Sequence, residues 1–452
     1  MKDAFVLTIL LASGAAATNM NEIRSLMMNR VDSHKTMGIV VGLISAQGRS
    51  VDGYGKLSAA NPQQPNGDTV FEIGSITKVF TSLALADMVE RGEVKLDDPV
   101  AKYLPPAVKM PSRNGRQITL LDLSMQISGL PRLPNNLKPA DMGNPYADYD
   151  PPKLYDFLSG YTLTRDIGEK YEYSNLGVGL LGHALALKSG MSYEEMIRRR
   201  ILEPLGMKST SITLSDDQKK RLAIGHNAGL EPVKNWDLNA LQGAGAIRST
   251  ANDMLKFLAA NMDLVDTPLK AAMHRMRSVH RETGVSDLEI QMAWHVFHKY
   301  GTDVVWHNGG TGGYRTFAGF DPAKKVGAVV LCNTSFDCDD LGFHAIESQY
   351  PAGTFTAAKE HKEVTLDSKI LETYTGEYQM TPQFSIKITR DGVHLFAQAT
   401  GQPAFEIFPE KEAEFFLKVV DAQITFTKDD AAAVSGLILH QNGLDQKAKK
   451  IH

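Results

Sequence analysis

The stretch from Phe71 to Gly92, FEIGSITKVFTSLALADMVERG, carries apolar residues at Ile76, Val79, Phe80, Leu83, Leu85, Met88 and Val89. That surface is too wide for a helix with one face in water, so the segment predicts a helix buried within a domain, stopped at Gly92. Such a helix needs layers around it, and strand patterns at both ends of the chain supply them. GIVVGLISAQGRSVDGYGKLS, starting at Gly38, reads as two strands joined near Gln47-Gly48, after a helical pattern from Asn21 to Asp32. Strands return as TDVVWHNG, YRTFAGFDP and KVGAVVLCN between Thr302 and Asn333, and the region between is dominated by helical patterns. Early and late strands with helices between them predict an α+β fold: one antiparallel sheet flanked by helices, plus an all-helical lobe.

A chain of 452 residues is long enough for two or three domains. Residues 18–353 are assigned to the α+β domain and the polar, unpatterned stretch 354–364 to a linker. Residues 365–452 carry alternating segments such as FSIKITR and VHLFAQAT around Asp391-Gly392, which is a strong hairpin signal. They predict a small all-β, barrel-like domain. Residues 1–17 combine Lys2, an apolar core from Ala4 to Ala12 and small residues at Ala15 to Ala17, the pattern of a signal peptide. This implies a periplasmic or secreted protein, and with no other long apolar run no integral membrane span is expected once the leader is removed. A net charge of −4 gives no basic face, so a nucleic-acid partner is set aside. Cys332 reads as a small buried hydrophobe, and Cys338 is near enough in sequence for a small disulfide loop.

Three polar clusters interrupt these patterns. Ser75 and Lys78, three apart, share a helix face at the start of the buried run. Taken alone, the serine reads first as a helix N-cap; its other reading is a nucleophile whose proton passes to an amine that burial deprives of its charge. Tyr173-Ser174-Asn175 reads as a loop capping the next helix, or as a phenol and an amide placed beside a substrate. Gly177 to Gly182 fits a dinucleotide fingerprint on paper, but it follows no strand and reads as helix packing. His307-Asn308-Gly309-Gly310 ends a strand in a glycine turn, where a substrate could approach and the Gly310 N–H could join that of Ser75 in an oxyanion hole. His295 and His298 read as ordinary residues of a mixed strand.

In order and rough spacing, Ser75-Ile-Thr-Lys78, Tyr173-Ser-Asn175 and His307-Asn-Gly309 resemble the three signature boxes of the penicillin-recognising serine hydrolases. Tyr-x-Asn in the middle box resembles the class C β-lactamases and their DD-peptidase and carboxylesterase relatives. The linking stretches LLDLSMQISGLPRLP and GAGAIRSTANDMLKF look similar too, and the tail resembles a lipocalin-like domain appended to some members. The resemblance implies an acyl-enzyme on Ser75, with Lys78 and Tyr173 moving the proton, Asn175 orienting the acyl side chain and Ser75 with Gly310 forming the oxyanion hole. It places His307, Asn308, Gly309 and Arg315 at the substrate and calls for no metal or organic cofactor. The implied partner is a small molecule: a β-lactam, an ester or a D-amino-acid peptide. A penicillin-binding sensor that acylates without turnover is the reading outside enzymes.

Two departures stand out. The family's β-lactamases usually carry lysine where this chain has His307, and some of its DD-peptidases and esterases have histidine there, so recognition of a substrate carboxylate is expected to be weaker or pH-dependent unless Arg315 helps. Met125 and Gln126 replace a more usual pair before Ser128-Gly129-Leu130, and the sequence offers no account of them.

Overall fold

Strand β1 (Gly38–Ser45) has a core on each face, which is why its sequence is apolar almost throughout. It belongs to an antiparallel sheet with β2 (Gly48–Gly55), β3 (Arg281–Glu282), β4 (Leu288–Ile290), β5 (His295–Lys299), β6 (Thr302–Gly310), β7 (Arg315–Asp321) and β8 (Val326–Cys332). The order across the sheet is β2-β1-β8-β7-β6-β5-β4-β3. The early hairpin thus closes on the last strand, with Ile39 opposite Cys332 and Ser45 opposite Val326. Five helices frame the sheet and the site: α1 (Met20–Asp32), α2 (Thr77–Glu90), α3 (Asn175–Ser189), α4 (Ala251–Asn261) and α5 (Asp339–Ile346). Ile39 and Val41 pack with Ile23 and Met27 of α1 and Leu341 of α5. Val40 and Ile44, on the other face, pack into the larger core around α2, α3 and α4. This is the α+β architecture the strand and helix patterns predict.

The computed structural model describes residues 19–355, 361–381, 384–402, 404–418, 422–441 and 444–451. The expected leader, residues 1–17, and residues 356–360 of the expected linker lie outside them. The chain divides into two compact units, residues 1–355 and 356–452. No helix among the described residues is long and apolar enough to cross a membrane. Cys332 and Cys338 are both buried and both free, so no disulfide closes that loop.

Helix α2 is buried without interruption from Thr77 to Met88. Phe80 stacks on Phe257 of α4 with ring centroids 4.3 Å apart. Burying a side chain of that size contributes roughly 1.5–3 kcal/mol. The glycines of α3 let another segment come close: a Cβ on Gly182 would stand 2.9 Å from the Gly243 Cα. Packing of this kind, not nucleotide binding, accounts for the glycine pattern, and it brings the carbonyl of Ala244 toward α2.

In the second unit, β9 (Gly376–Thr381), β10 (Phe384–Asp391), β11 (His394–Ala399), β12 (Phe405–Pro409), β13 (Glu414–Leu417), β14 (Ala422–Lys428), β15 (Val434–Gln441) and β16 (Leu444–Lys450) form a closed barrel. Side chains fill it: Tyr374 stacks on Phe426 at 4.3 Å, and Tyr378, Phe415, Ile386 and Ile407 are buried around them. The interior is a core that holds the barrel together.

Candidate active site

Ser75 lies in a short 3-10 turn, Gly74–Ile76, that runs into α2, and neither the turn nor the helix has a side-chain cap. The hydroxyl is therefore not the N-cap that the local sequence taken alone suggests. It is left for Lys78, whose Nζ lies 2.9 Å from Ser75 Oγ and donates to the carbonyl of Ala244 at 2.6 Å. Lys78 is fully buried and has no carboxylate partner in either bond. Burial, and secondarily the charge of Arg132, pull its pKa well below the usual lysine value. The result is an amine able to lose its charge and offer a lone pair to the serine proton.

Strand β6 reaches the serine turn from the other side. A Cβ on Gly309 would stand 2.0 Å from the carbonyl oxygen of Ile73, so only glycine allows this approach. Thr316 of β7 fastens the contact by donating to the same carbonyl at 3.0 Å. The backbone of Gly310 thereby meets that of Gly74, next to Ser75. First-turn N–H groups have no partner within a helix, so the serine turn and the end of β6 together suit a developing oxyanion.

Tyr173 completes the cluster. Lys78 Nζ lies 4.8 Å from the centre of its ring, and the guanidinium carbon of Arg132 lies 5.0 Å from it. Burial pushes the phenol up to about 12, against the pull of nearby Ser75 and of Arg132. It therefore keeps its proton through the neutral range and can serve as an acid, not as a standing base.

The loop carrying Tyr173 is held by Gln126. The Gln126 carbonyl accepts from Glu172 N at 2.9 Å and its side-chain oxygen accepts from Ser174 N at 2.8 Å, one bond on each side of the tyrosine. Gln126 is buried and sits at φ 56°, a left-handed conformation. Its contacts are the account of Gln126 that the sequence lacks. Ser174 caps α3, accepting from Gly177 N at 2.8 Å, so the capping reading of that loop holds. Gln126→Asn tolerates the backbone but shortens the reach, leaving the buried Ser174 N–H unpaired. The expected outcome is a stability loss of about 1–3 kcal/mol and a fall of about tenfold to a hundredfold in acylation rate. Thermal melts and stopped-flow acylation check it, and wild-type values for both would refute the role.

Alternation along β6 separates the remaining candidates. His307 and Gly309 face the serine turn, whereas Asn308 donates its amide to Asp339 at the start of α5. Arg315, opposite Gly310, donates to the carbonyls of Thr311 at 3.1 Å and Tyr314 at 3.0 Å. Asp339 is raised to about 8 by burial and by Asp337, despite Asn308 and Arg315. Asn175 opens α3, and its Oδ1 is buried without a donor. Ser75, Lys78, Tyr173, His307 and the Gly309-Gly310 backbone thus converge, while Asn308 and Arg315 belong to the outer edge of the strand end.

His307 is wholly buried. Its Nδ1 lies 2.6 Å from the Asn308 carbonyl, so that nitrogen carries the proton and Nε2, without a partner, carries a lone pair. Burial, then His295 and Lys78, hold its pKa well below the usual histidine value. Sequence reasoning missed His295, which faces the same cluster with its ring 5.2 Å from that of His307 and its Nε2 2.9 Å from the Tyr171 hydroxyl. The period of two along β5 was the available signal: His298 points the other way, to Asp303, and is the ordinary residue of the pair.

Burial, followed by Lys78, lowers His295 to about 4 from 6.5. The unfolded chain takes up this proton near 6.5, so the stability it gives is complete above that pH and is lost as pH falls toward 4. The loss from this group is about 3 kcal/mol. Melting temperature measured from pH 7.5 downward should fall less steeply for His295→Gln than for wild type, and parallel curves would refute the assignment.

A family model described as "Beta-lactamase" matches residues 23–349, and one described as a domain of unknown function (DUF3471) matches residues 360–451. The chain is 31% identical over 313 residues to the D-alanyl-D-alanine-carboxypeptidase/endopeptidase AmpH of Escherichia coli (strain K12), covering 66% of this chain and 80% of that protein. It is 25% identical over 429 residues to Penicillin-binding protein 4* of Bacillus subtilis (strain 168), covering 88% and 90%. Among solved structures, a class C beta lactamase from Rhodobacter sphaeroides superposes with a TM-score of 0.61 at 25% identity, covering 70% of this chain and 95% of that one.

Proposed function

The chain belongs to the beta-lactamase family, and from that premise we propose that it is a serine hydrolase working through an acyl-enzyme on Ser75, with β-lactam amides as substrates. One observation carries the reading: the 2.9 Å approach of the Lys78 amine to the Ser75 hydroxyl in a site whose burial pulls the amine's pKa well below the usual lysine value. Neutral Lys78 takes the serine proton as Oγ attacks the carbonyl carbon. The Ser75 and Gly310 N–H groups hold the oxyanion, each donor of this kind being worth about 3 to 4 kcal/mol. Tyr173, protonated at neutral pH, gives its proton to the leaving nitrogen and is resupplied by Lys78. Asn175, with an acceptor that lacks a donor, takes the acyl-side N–H. Neutral Lys78 then takes a proton from water as the water oxygen attacks the ester carbonyl, and that proton passes to the Ser75 oxygen as the ester C–O bond breaks.

A D-Ala-D-Ala peptidase is the second reading, favoured by His307. The buried, neutral imidazole stands where the β-lactamases of the family keep a charged lysine, and histidine there resembles some DD-peptidases and esterases. The relationship to AmpH points the same way. Incubation with benzylpenicillin followed by mass spectrometry, beside turnover of nitrocefin, p-nitrophenyl esters and D-Ala-D-Ala peptides, separates the readings. A transient Ser75 adduct with nitrocefin hydrolysis supports the lactamase. Release of D-alanine, or ester turnover alone, moves the substrate to a peptide or a small ester. A lasting adduct with negligible turnover makes the protein a sensor.

A further inference from the structure

We propose that Arg132 selects substrates by charge, its guanidinium receiving a carboxylate carried on the acyl portion of the substrate, the portion that Asn175 reads. This rests on the acyl-enzyme reading above. A site of this kind needs a cation wherever its substrate is anionic, and the strand end does not offer a free one. His307 is buried with a bare lone pair. Arg315 is committed to the carbonyls of Thr311 and Tyr314 and faces Asp339.

Arg132 differs on each count. Its own carbonyl accepts from Asn175 N at 3.0 Å and Leu176 N at 3.2 Å, which fixes its backbone at the start of α3. Its side chain is exposed, and its guanidinium carbon lies 5.0 Å from the centre of the Tyr173 ring. Among the described residues no carboxylate pairs with it, whereas Arg200, Arg165 and Arg248 each hold an acid. Its charge reaches Lys78, Tyr173, Tyr171 and Tyr146, four groups around the serine. An unpaired planar fork beside the residue that orients the acyl chain fits a carboxylate by two parallel N–H bonds. The bland alternative is a cation resting on an aromatic face to steady Tyr173, and that would help every substrate alike.

Benzylpenicillin and carbenicillin form the matched pair: both carry the ring carboxylate, and only carbenicillin has a second one on the acyl side chain. The second-order rate of Ser75 acylation is followed by mass spectrometry of the intact protein. The rate ratio of carbenicillin to benzylpenicillin should fall about tenfold in Arg132→Gln, fall less in Arg132→Lys, and fall in wild type as salt is raised. A ratio unchanged within about twofold, even with both rates lowered in common, overturns the inference and leaves Arg132 a support for Tyr173 and the Lys78 amine. Failure of both penicillins to acylate the wild type overturns the β-lactam reading above, and this inference with it.

Discussion

Ser75→Ala will give no covalent adduct with benzylpenicillin and will lose on the order of 10⁶ in kcat, the scale of loss when a serine hydrolase is deprived of its nucleophile. The expectation follows from what surrounds the hydroxyl. Lys78 Nζ touches one hydroxyl, that of Ser75, and one carbonyl, that of Ala244. With the hydroxyl removed, the amine keeps the Ala244 bond, and the turn is unaffected because Ser75 caps neither the turn nor α2. The variant should therefore melt within a few degrees of wild type, so that lost turnover cannot be put down to lost fold. Intact-protein mass spectrometry and nitrocefin, ester and peptide assays on the same preparation make the check. Turnover above a thousandth of the wild-type rate would mean that the chemistry lies elsewhere.

The large features of this fold were legible because they are written in local periodicity. A helix apolar all round has to be buried, and GIVVGLIS, apolar on both of its faces, had to lie between two cores. The candidate site's residues could be named from the sequence, but their contacts could not. Ser75 could be a cap or a nucleophile on sequence grounds, because both roles put a serine at a helix start; the difference is a 3-10 turn held open by Ile73 against Thr316, far away in the chain. Gln126 gave no signal, since its function is two hydrogen bonds across 46 to 48 residues and a left-handed backbone that glutamine does not advertise. His307 was visible, and its usual pKa already left it mostly neutral at pH 7; burial next to His295 and Lys78, which no local pattern shows, lowers that pKa further. Arg132 sits in a Pro-rich stretch where an exposed arginine looks like solvated surface. Charge state and orientation belong to tertiary packing, and no local pattern encodes them.

The lysine ties activity to stability, with opposite signs. Lys78→Met is expected to lose about 10² to 10⁴ in acylation rate, the contribution of a positioned proton-transfer group. The same change should raise the melting temperature at neutral pH. Burial, then Arg132, lowers the folded pKa of Lys78, so the unfolded chain binds this proton more readily than the folded one. Any stability from this group is present only above the usual lysine value and is progressively lost as pH falls toward the folded pKa. At neutral pH the buried amine is a burden, which methionine of similar length removes, though it leaves the Ala244 carbonyl without its donor. The gain over wild type should widen as pH is lowered from about 10. Kinetically, wild-type acylation rises with pH as Lys78 loses its proton and does not turn down below about 12, where Tyr173 would ionise. Arg132→Gln should move that rise to higher pH, because it withdraws a charge that holds the amine neutral. Wild-type acylation in Lys78→Met would show that another group takes the serine proton, and a stability difference that does not change as pH is lowered from about 10 would show that the lysine's pKa is not lowered in this site.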